Sequence, residues 1–209
     1  VSFFALGNHL GQWLGLVTHF RNLRRLESST PGQSRDDGPI DVQLTHSRDG
    51  RNWHRLEDRS PVIPNGPFDY DRGCILGTAS QPVICGDEMW IYYTAINTTH
   101  GGSMPEKEVH IARAAWRLDG WVSLKAGAKG GFLETVLLCP TGRQLVINAD
   151  ASRGELKAEV VSEAGKTLAG YGMKENIALQ GDAIRHPVRW KDHDRLPADR
   201  AIRLRFTLK

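Results

Sequence analysis

Cysteine is scarce in this 209-residue sequence and occurs at positions 74, 85 and 139. No two cysteines form a C-x-x-C pair, and none has a histidine at zinc-ligand spacing, so we predict no metal site and no cofactor. We place Cys74 and Cys85 on one strand, where a rise of about 3.3 Å per residue keeps them too far apart for a disulfide. A disulfide framework is therefore not expected.

An excess of one charge is also missing: 27 Lys and Arg residues face 24 Asp and Glu residues, for a formal charge of +3. A nucleic-acid surface needs a clustered basic face. The one dense basic stretch, residues 21–25, is interpreted as a solvated loop edge. No apolar run approaches the roughly 18 residues of a membrane span. We therefore predict neither nucleic acid nor membrane as a partner.

Helical periodicity with caps at both ends is absent, and the pattern that is present is that of strands. Short runs rich in aromatic and β-branched residues alternate apolar with polar side chains, between Gly and Pro turns. The clearest runs are 41–47, 88–95 and 109–116. Neighbouring strands joined by short turns predict antiparallel meanders, the unit of propeller blades. Within 88–95 we expect Trp90 and Tyr92 to face the core.

The second half of the chain has a different spacing of predicted strands. A small, flexible stretch at 125–131 predicts a boundary between domains 1–124 and 125–209. Beyond it, strands about ten residues apart, separated by turns such as 152–154, predict a β-sandwich. These strands are 132–138, 143–149, 156–162, 184–190 and 201–208. Because the sequence starts at Val1 without a Met, we expect a fragment of a longer protein and leave compartment and subunit number open.

Three segments resemble one family of proteins. Residues 47–53, SRDGRNW, are similar to the S-x-D-G-x-x-W turn of five-bladed β-propeller glycoside hydrolases, the invertase-like family 32 and arabinanase-like family 43. They also resemble the Asp-box of sialidases. Residues 86–94, GDEMWIYYT, look like the G-D-x-x-W-x-Y-Y strand of such blades, and 130–190 contain segments similar to the β-sandwich that follows the propeller in invertase-like proteins. The resemblance implies an all-β fold of about two propeller blades followed by a β-sandwich.

The activity implied by the resemblance is hydrolysis of O-glycosyl bonds by two carboxyl groups. The family's W-M-N-D-P, R-D-P and E-C segments do not occur here. We therefore expect the main catalytic carboxylates to lie in upstream blades, the fragment alone to be inactive, and the ligand to be a carbohydrate. The alternative is a non-catalytic carbohydrate-binding or structural protein, since fold alone does not assign chemistry. A sialidase-like propeller is a third hypothesis, but we find no Arg cluster for it.

Five residues are the candidates for a site, because loops that lead into strands near a propeller axis supply ligand contacts. Asp71 precedes the 74–85 strand and is the candidate acid or base; the alternative is an Asx-turn residue. His100 follows the aromatic strand and is the second catalytic candidate. Asp69, Arg72 and Asn97 are the candidate substrate-binding residues. No metal ligand is predicted.

Overall fold

The computed structural model describes residues 2–9, 11–141 and 143–209, and it confirms the all-β prediction. The described residues form fifteen strands and one 3-10 turn, with no α-helix. They contain no helix with the length and hydropathy of a transmembrane segment. The chain divides into two compact units, residues 1–118 and 119–209.

Eleven strands and the 3-10 turn belong to the first unit. The strands are β1 (Ser2–His9), β2 (Gln12–Phe20), β3 (Arg24–Arg25), β4 (Asp36–Asp37), β5 (Ile40–Ser47), β6 (His54–Arg55), β7 (Pro61–Ile63), β8 (Cys74–Thr78), β9 (Val83–Cys85), β10 (Glu88–Ile96) and β11 (Val109–Arg117). The 3-10 turn spans Asp69–Asp71.

Two antiparallel meanders make up the main sheet of this unit. In the first, β1 pairs with β2, β2 with β5, and β5 with both β6 and β7. In the second, β9 and β8 pair one after the other along the same edge of β10, and the other edge of β10 pairs with β11. One parallel pair, Ile40 with Cys74, connects the two meanders. The single strand predicted over 74–85 is thus two short strands that share one partner.

The core of the first unit takes buried side chains from both meanders. Strands β2 and β5 bury Leu16 and Leu44, and β10 buries Met89 and Ile91. Each such side chain contributes roughly 1.5–3 kcal/mol relative to its exposed state.

The expectation that Trp90 and Tyr92 face the core is wrong. Tyr92 is 42% exposed. The Trp90 ring lies under the guanidinium of Arg113, 4.1 Å from the ring centroid. Its indole N–H donates to Glu88 Oε2 at 2.7 Å. Alternation along a strand separates two faces correctly, but it does not say which face the rest of the fold covers.

The turn after β5 has the local structure that its sequence predicts. Asp49 Oδ1 accepts the backbone N–H groups of Arg51 and Asn52, each at 2.8 Å. Gly50 adopts a φ of 69°, and Trp53 packs edge-to-face on Phe3. The backbone N–H of Asn52, then that of Arg51, hold the pKa of the Asp49 carboxyl well below its usual range. Asp49 is therefore a structural residue of the turn.

The second unit contains a four-stranded antiparallel sheet. Its strands are β12 (Gly131–Glu134), β13 (Val146–Ser162), β14 (Leu179–Pro187) and β15 (Ile202–Leu208), in the order β12-β15-β13-β14. Its core includes Val160, Trp190 and Ile202.

The turn predicted at 152–154 is wrong, because β13 runs through it. Of the two strands predicted at 143–149 and 156–162, residues 146–149 and 156–162 belong to this one strand. Residues 152–155 form an irregularity in the pairing of β13 with β14, between Ala151 and Leu156. Extra residues of this kind bend a strand without ending it. The sequence of this segment resembles a turn because it contains Ser and Gly.

All three cysteines are free thiols. Cys74 is buried, whereas Cys85 and Cys139 are exposed. Burial raises the pKa of the Cys74 thiol to about 11, so this side chain behaves as a small apolar core residue.

Candidate functional site

The 3-10 turn at 69–71 holds the first group of candidate residues. It contacts β10 and β11 and lies just before β8. The backbone N–H of Gly66 donates to the carbonyl of Asp71 at 3.1 Å, which closes the loop that carries the turn. Gly66 has a φ of 73°, a conformation that glycine adopts without steric cost. The hydrogen bond between Gly66 and Asp71 therefore fixes the two ends of the segment that contains residues 68–70.

The side chain of Asp71 connects this turn to β10. Its side chain is 2% exposed. Oδ1 accepts the backbone N–H of Phe68 at 3.2 Å, and Oδ2 accepts the hydroxyl of Tyr93 at 2.9 Å. Burial, and then the hydrogen bond to Asp71, raise the pKa of the Tyr93 hydroxyl. Tyr93 is thus a protonated donor at neutral pH. A catalytic role for Asp71 stays a prediction, and its present geometry is that of a positioning residue.

Above Asp71, two aromatic side chains are stacked at the surface. The rings of Phe68 and Tyr70 are nearly parallel, with centroids 5.2 Å apart and planes inclined by 7°. The ring of His110, on β11, meets Tyr70 at 6.0 Å and 60°. Phe68 is 56% exposed, so its outer face is open to solvent. Phe68, Tyr70 and His110 are named the aromatic platform below.

Sequence reasoning missed the aromatic platform. The available signal was the pair of aromatic residues two positions apart, Phe68 and Tyr70, beside a candidate carboxylate. His110 lies 40 residues further along the chain, on a strand whose alternation gave no reason to select it. Only the packing of the 3-10 turn on β11 brings the three rings together.

The three candidate substrate-binding residues lie beside the platform. Arg72 Nε donates to the carbonyl of Asn97 at 3.0 Å, and Arg72 also lies 3.7 Å from Asp69 Oδ1. The Asn97 amide donates to the carbonyl of Glu106 and accepts the N–H of Glu108. Asp69 and Arg72 are exposed, whereas both ends of the Asn97 amide are occupied within the protein. Substrate binding by these residues stays a prediction. The hydrogen bonds of the Asn97 side chain stabilise the loop between β10 and β11.

His100 lies in the same long loop but contacts other elements. Its ring centroid is 4.8 Å from that of Phe20, and its Nδ1 is 3.1 Å from the carbonyl of Asp36. Its backbone N–H donates to Gly38, and its carbonyl accepts the ammonium of Lys107. These contacts connect His100 to the segment around β4. They do not connect it to Asp71, and a joint catalytic role of the two residues stays a prediction.

A second buried carboxylate, that of Asp37, holds the loop at residues 97–108 in place. Sequence reasoning did not select this residue. Asp37 accepts Arg24 Nε at 2.7 Å and the backbone N–H of Gly101 at 2.9 Å. Burial opposes its ionisation, but hydrogen bonds from Thr99, Gly101 and Arg24 outweigh burial and lower the pKa of Asp37 to about 2. Asp37 therefore carries charge at neutral pH and ties β3 to the 97–108 loop.

This surface presents the exposed ring of Phe68 together with exposed carboxylate, guanidinium and imidazole groups, those of Asp69, Arg72 and His110. In the part of the chain that the structure describes, no group of three or more His, Cys, Asp or Glu side chains is placed to hold a metal ion. Comparison of the chain with protein-family models, curated protein sequences and solved structures gives no match.

Proposed function

We propose that the first unit binds carbohydrate at the aromatic platform, as part of a glycoside hydrolase-like protein. The observation that carries this proposal is the exposed ring of Phe68, which stacks on the half-buried ring of Tyr70 and has hydrogen-bonding side chains around it. A sugar ring has an apolar C–H face and a rim of hydroxyl groups. Ligand sites combine aromatic surface with a few placed polar groups in the same way.

The polar groups around the platform match the hydroxyl rim of a sugar. Asp69 supplies carboxylate oxygens that accept hydroxyl protons, and Arg72 supplies guanidinium N–H donors. Both side chains are exposed. Phe68 and Tyr70 each cover one ring face of the other, so the outer face of Phe68 is the one available to a ligand.

The topology of the first unit supports the propeller part of the proposal. Antiparallel meanders of three or four neighbouring strands are the repeating element of propeller blades, and this unit contains two such meanders. The Asp49 turn adds the local structure expected of a blade turn. We propose that the two meanders are blades and that the antiparallel sheet of the second unit belongs to a β-sandwich.

Hydrolysis is the second candidate function, and binding is favoured over it. A glycoside hydrolase needs two carboxyl groups on opposite sides of the scissile bond. Asp71 already accepts one hydrogen bond at each oxygen and is buried beneath the turn. Asp69 is exposed, but its nearest described charged partner is Arg72. A binding role uses these groups as they stand, whereas hydrolysis requires Asp71 to become accessible.

Calorimetric titration of the chain with a panel of neutral tetrasaccharides tests the proposal. We expect heat of binding from at least one of them. Because Phe68 loses its ring in Phe68→Ala, that variant should bind about tenfold more weakly, equivalent to about 1.4 kcal/mol.

The matched control is Tyr92→Ala. It removes an exposed aromatic ring from the face of β10 opposite to Tyr93, which contacts Asp71, and should leave the affinity for the sugar unchanged. An absence of heat with every sugar, or an equal loss in Phe68→Ala and Tyr92→Ala, would contradict the proposal. In parallel, chromogenic glycosides incubated with the wild-type chain and Asp71→Asn test hydrolysis. Release of chromophore by the wild type alone would favour the catalytic candidate.

A further inference from the structure

Strand β11 is an open edge of the sheet in the first unit. It pairs with β10 along nine residues without a bulge, and it pairs with no other described strand. Proteins protect such edges with proline, lysine or bulges. Residues 109–117 contain neither proline nor lysine. The described structure therefore leaves a long, regular strand edge available for pairing.

The backbone groups of every second residue of β11 point away from β10. The N–H of Asn97 donates to the carbonyl of Glu108 at one end of β11. The N–H of Leu118 donates to the carbonyl of Asp87 at the other end, and both bonds continue the register of the two strands. In an antiparallel pair, hydrogen-bonded residues alternate with residues that direct their N–H and C=O groups outward. The even-numbered residues thus bond to β10, and the odd-numbered residues of 109–117 face the open edge.

The same odd-numbered residues present apolar and cationic side chains. Val109 is 62% exposed and Ile111 is 84% exposed. Arg113 is exposed, and its guanidinium packs over the Trp90 ring. The described residues give Arg113 this aromatic contact and no salt bridge. Because residues 109–117 contain no Asp or Glu, this edge carries positive charge.

We propose that the β11 edge binds an extended acidic segment of another protein as an additional antiparallel strand. Backbone hydrogen bonds to a strand edge provide affinity in such complexes, and alternate side chains provide specificity. Apolar residues of the added strand would lie across from Val109 and Ile111, and a carboxylate across from Arg113. A second copy of β11 would instead bring like charges together, which disfavours self-pairing.

This inference does not rest on carbohydrate binding. The side chain of His110, which belongs to the aromatic platform, projects from the opposite face of β11, because side chains alternate along a strand. Phe68→Ala, which should weaken sugar binding, should therefore leave binding of the acidic strand unchanged.

The probe is a nine-residue peptide, ETVTETVTV, with a fluorophore at its N-terminus. Paired antiparallel with residues 109–117, it places its glutamates across from Arg117 and Arg113 and its valines across from the apolar side chains. The comparison peptide, KTVTKTVTV, has lysine in place of both glutamates. In anisotropy titrations of the whole chain, we expect the acidic peptide to bind at least about tenfold more tightly than the lysine peptide.

A charge reversal tests whether Arg113 causes this preference. Arg113→Glu should weaken binding of the acidic peptide about tenfold and strengthen binding of the lysine peptide. The gain with the lysine peptide would show that the variant is folded. The matched control is Arg25→Glu, at an exposed position on β3, which should leave both affinities unchanged.

Amide hydrogen exchange measured by NMR locates the added strand. In the free chain, the amides of Ala112 and Ala114 should exchange slowly, because they bond to β10. The outward amides of Ile111, Arg113 and Ala115 should exchange fast and become protected when the acidic peptide binds.

Three results would overturn the inference. The first is the absence of binding, or equal binding of the two peptides. The second is binding that leaves the three outward amides unprotected, because the peptide would then lie elsewhere. The third is protection of these amides by self-association of the chain without peptide, which would assign the edge to a second copy.

Discussion

Replacement of Tyr93 by Phe should lower the free energy of unfolding of the first unit by about 2 kcal/mol. The Tyr93 hydroxyl donates to Asp71 Oδ2 at 2.9 Å. Because Asp71 is buried, water cannot replace the lost donor. A hydrogen bond to a charged group is worth about 1.5–3 kcal/mol, and an unpaired buried acceptor retains its desolvation penalty. The ring remains in place, so no cavity contributes to the loss.

Two variants at Asp71 give the rank order that this reasoning requires. Asp71→Ala leaves the Tyr93 hydroxyl and the Phe68 N–H without an acceptor, and should cost about 3 kcal/mol. Asp71→Asn keeps an oxygen for the Phe68 N–H and an amide group for the Tyr93 oxygen, so its cost should stay below about 1 kcal/mol. Tyr92→Phe is the matched control and should change stability by less than about 0.5 kcal/mol.

Urea denaturation provides the measurement, read by hydrogen exchange at the β10 amides so that the first unit is followed alone. With a slope of about 2 kcal/mol per molar urea, Tyr93→Phe should shift the midpoint by about 1 M. The pH dependence gives a second measurement. Burial and Asp71 raise the pKa of Tyr93 in the folded state. Its contribution is therefore complete below the unfolded value near 10 and declines as the pH rises above it.

Equal stability of Tyr93→Phe and Tyr92→Phe would refute the reasoning, because the buried hydrogen bond would then contribute nothing. The same conclusion would follow if the alkaline decline above pH 10 were unchanged in Tyr93→Phe. Binding experiments add a further criterion. If Asp71 positions the platform, Asp71→Asn should retain sugar affinity, whereas Asp71→Ala should lose it together with stability.

Three further predictions concern a closely packed glycine, the three thiols and the buried carboxylate of Asp37. In Gly73→Ala the new Cβ would lie 1.9 Å from the carbonyl oxygen of Thr98, so thermal unfolding should show a loss of about 2 kcal/mol or more; Gly127→Ala, with no atom within 4 Å of its Cβ, should be nearly neutral. Ellman's reagent at pH 8 should titrate two thiols in the folded chain and three after denaturation, since Cys74 is buried and its pKa is about 11; rapid reaction of all three would contradict this. Because the pKa of Asp37 is lowered to about 2, its stabilising contribution should be lost as the pH falls from about 4 to 2. That acid decline should be smaller in Asp37→Asn.

The sequence predicts well the features that depend on neighbouring residues. The all-β class follows from alternation between apolar and polar residues, a local property of each strand. The turn at Asp49 is likewise local, because its donors are two and three residues away. The start of β5 was placed within one residue, and β10 and β11 were each placed within one residue at both ends.

The errors occur where a local pattern has two tertiary outcomes. The stretch 152–154 has the composition of a turn, but in the structure it is an irregular part of β13, the strand that pairs with β14 on either side of this irregularity and with β15 beyond it. The wrong face of β10 was chosen for the core for a related reason. Aromatic side chains suit a buried face and an exposed face equally well by sequence, and the rest of the fold decides which one is covered.

The candidate site shows the same division. The sequence by itself determined that Asp69, Asp71 and Arg72 precede a strand, and that Asn97 and His100 follow one. Only the tertiary structure decided that Asp71 is buried under Tyr93 and that His110 completes a surface with Phe68 and Tyr70. The physical reason is separation along the chain. Strand and turn preferences act over a few residues, whereas these contacts join positions 22 and 40 residues apart and form only when the 3-10 turn packs on β10 and β11.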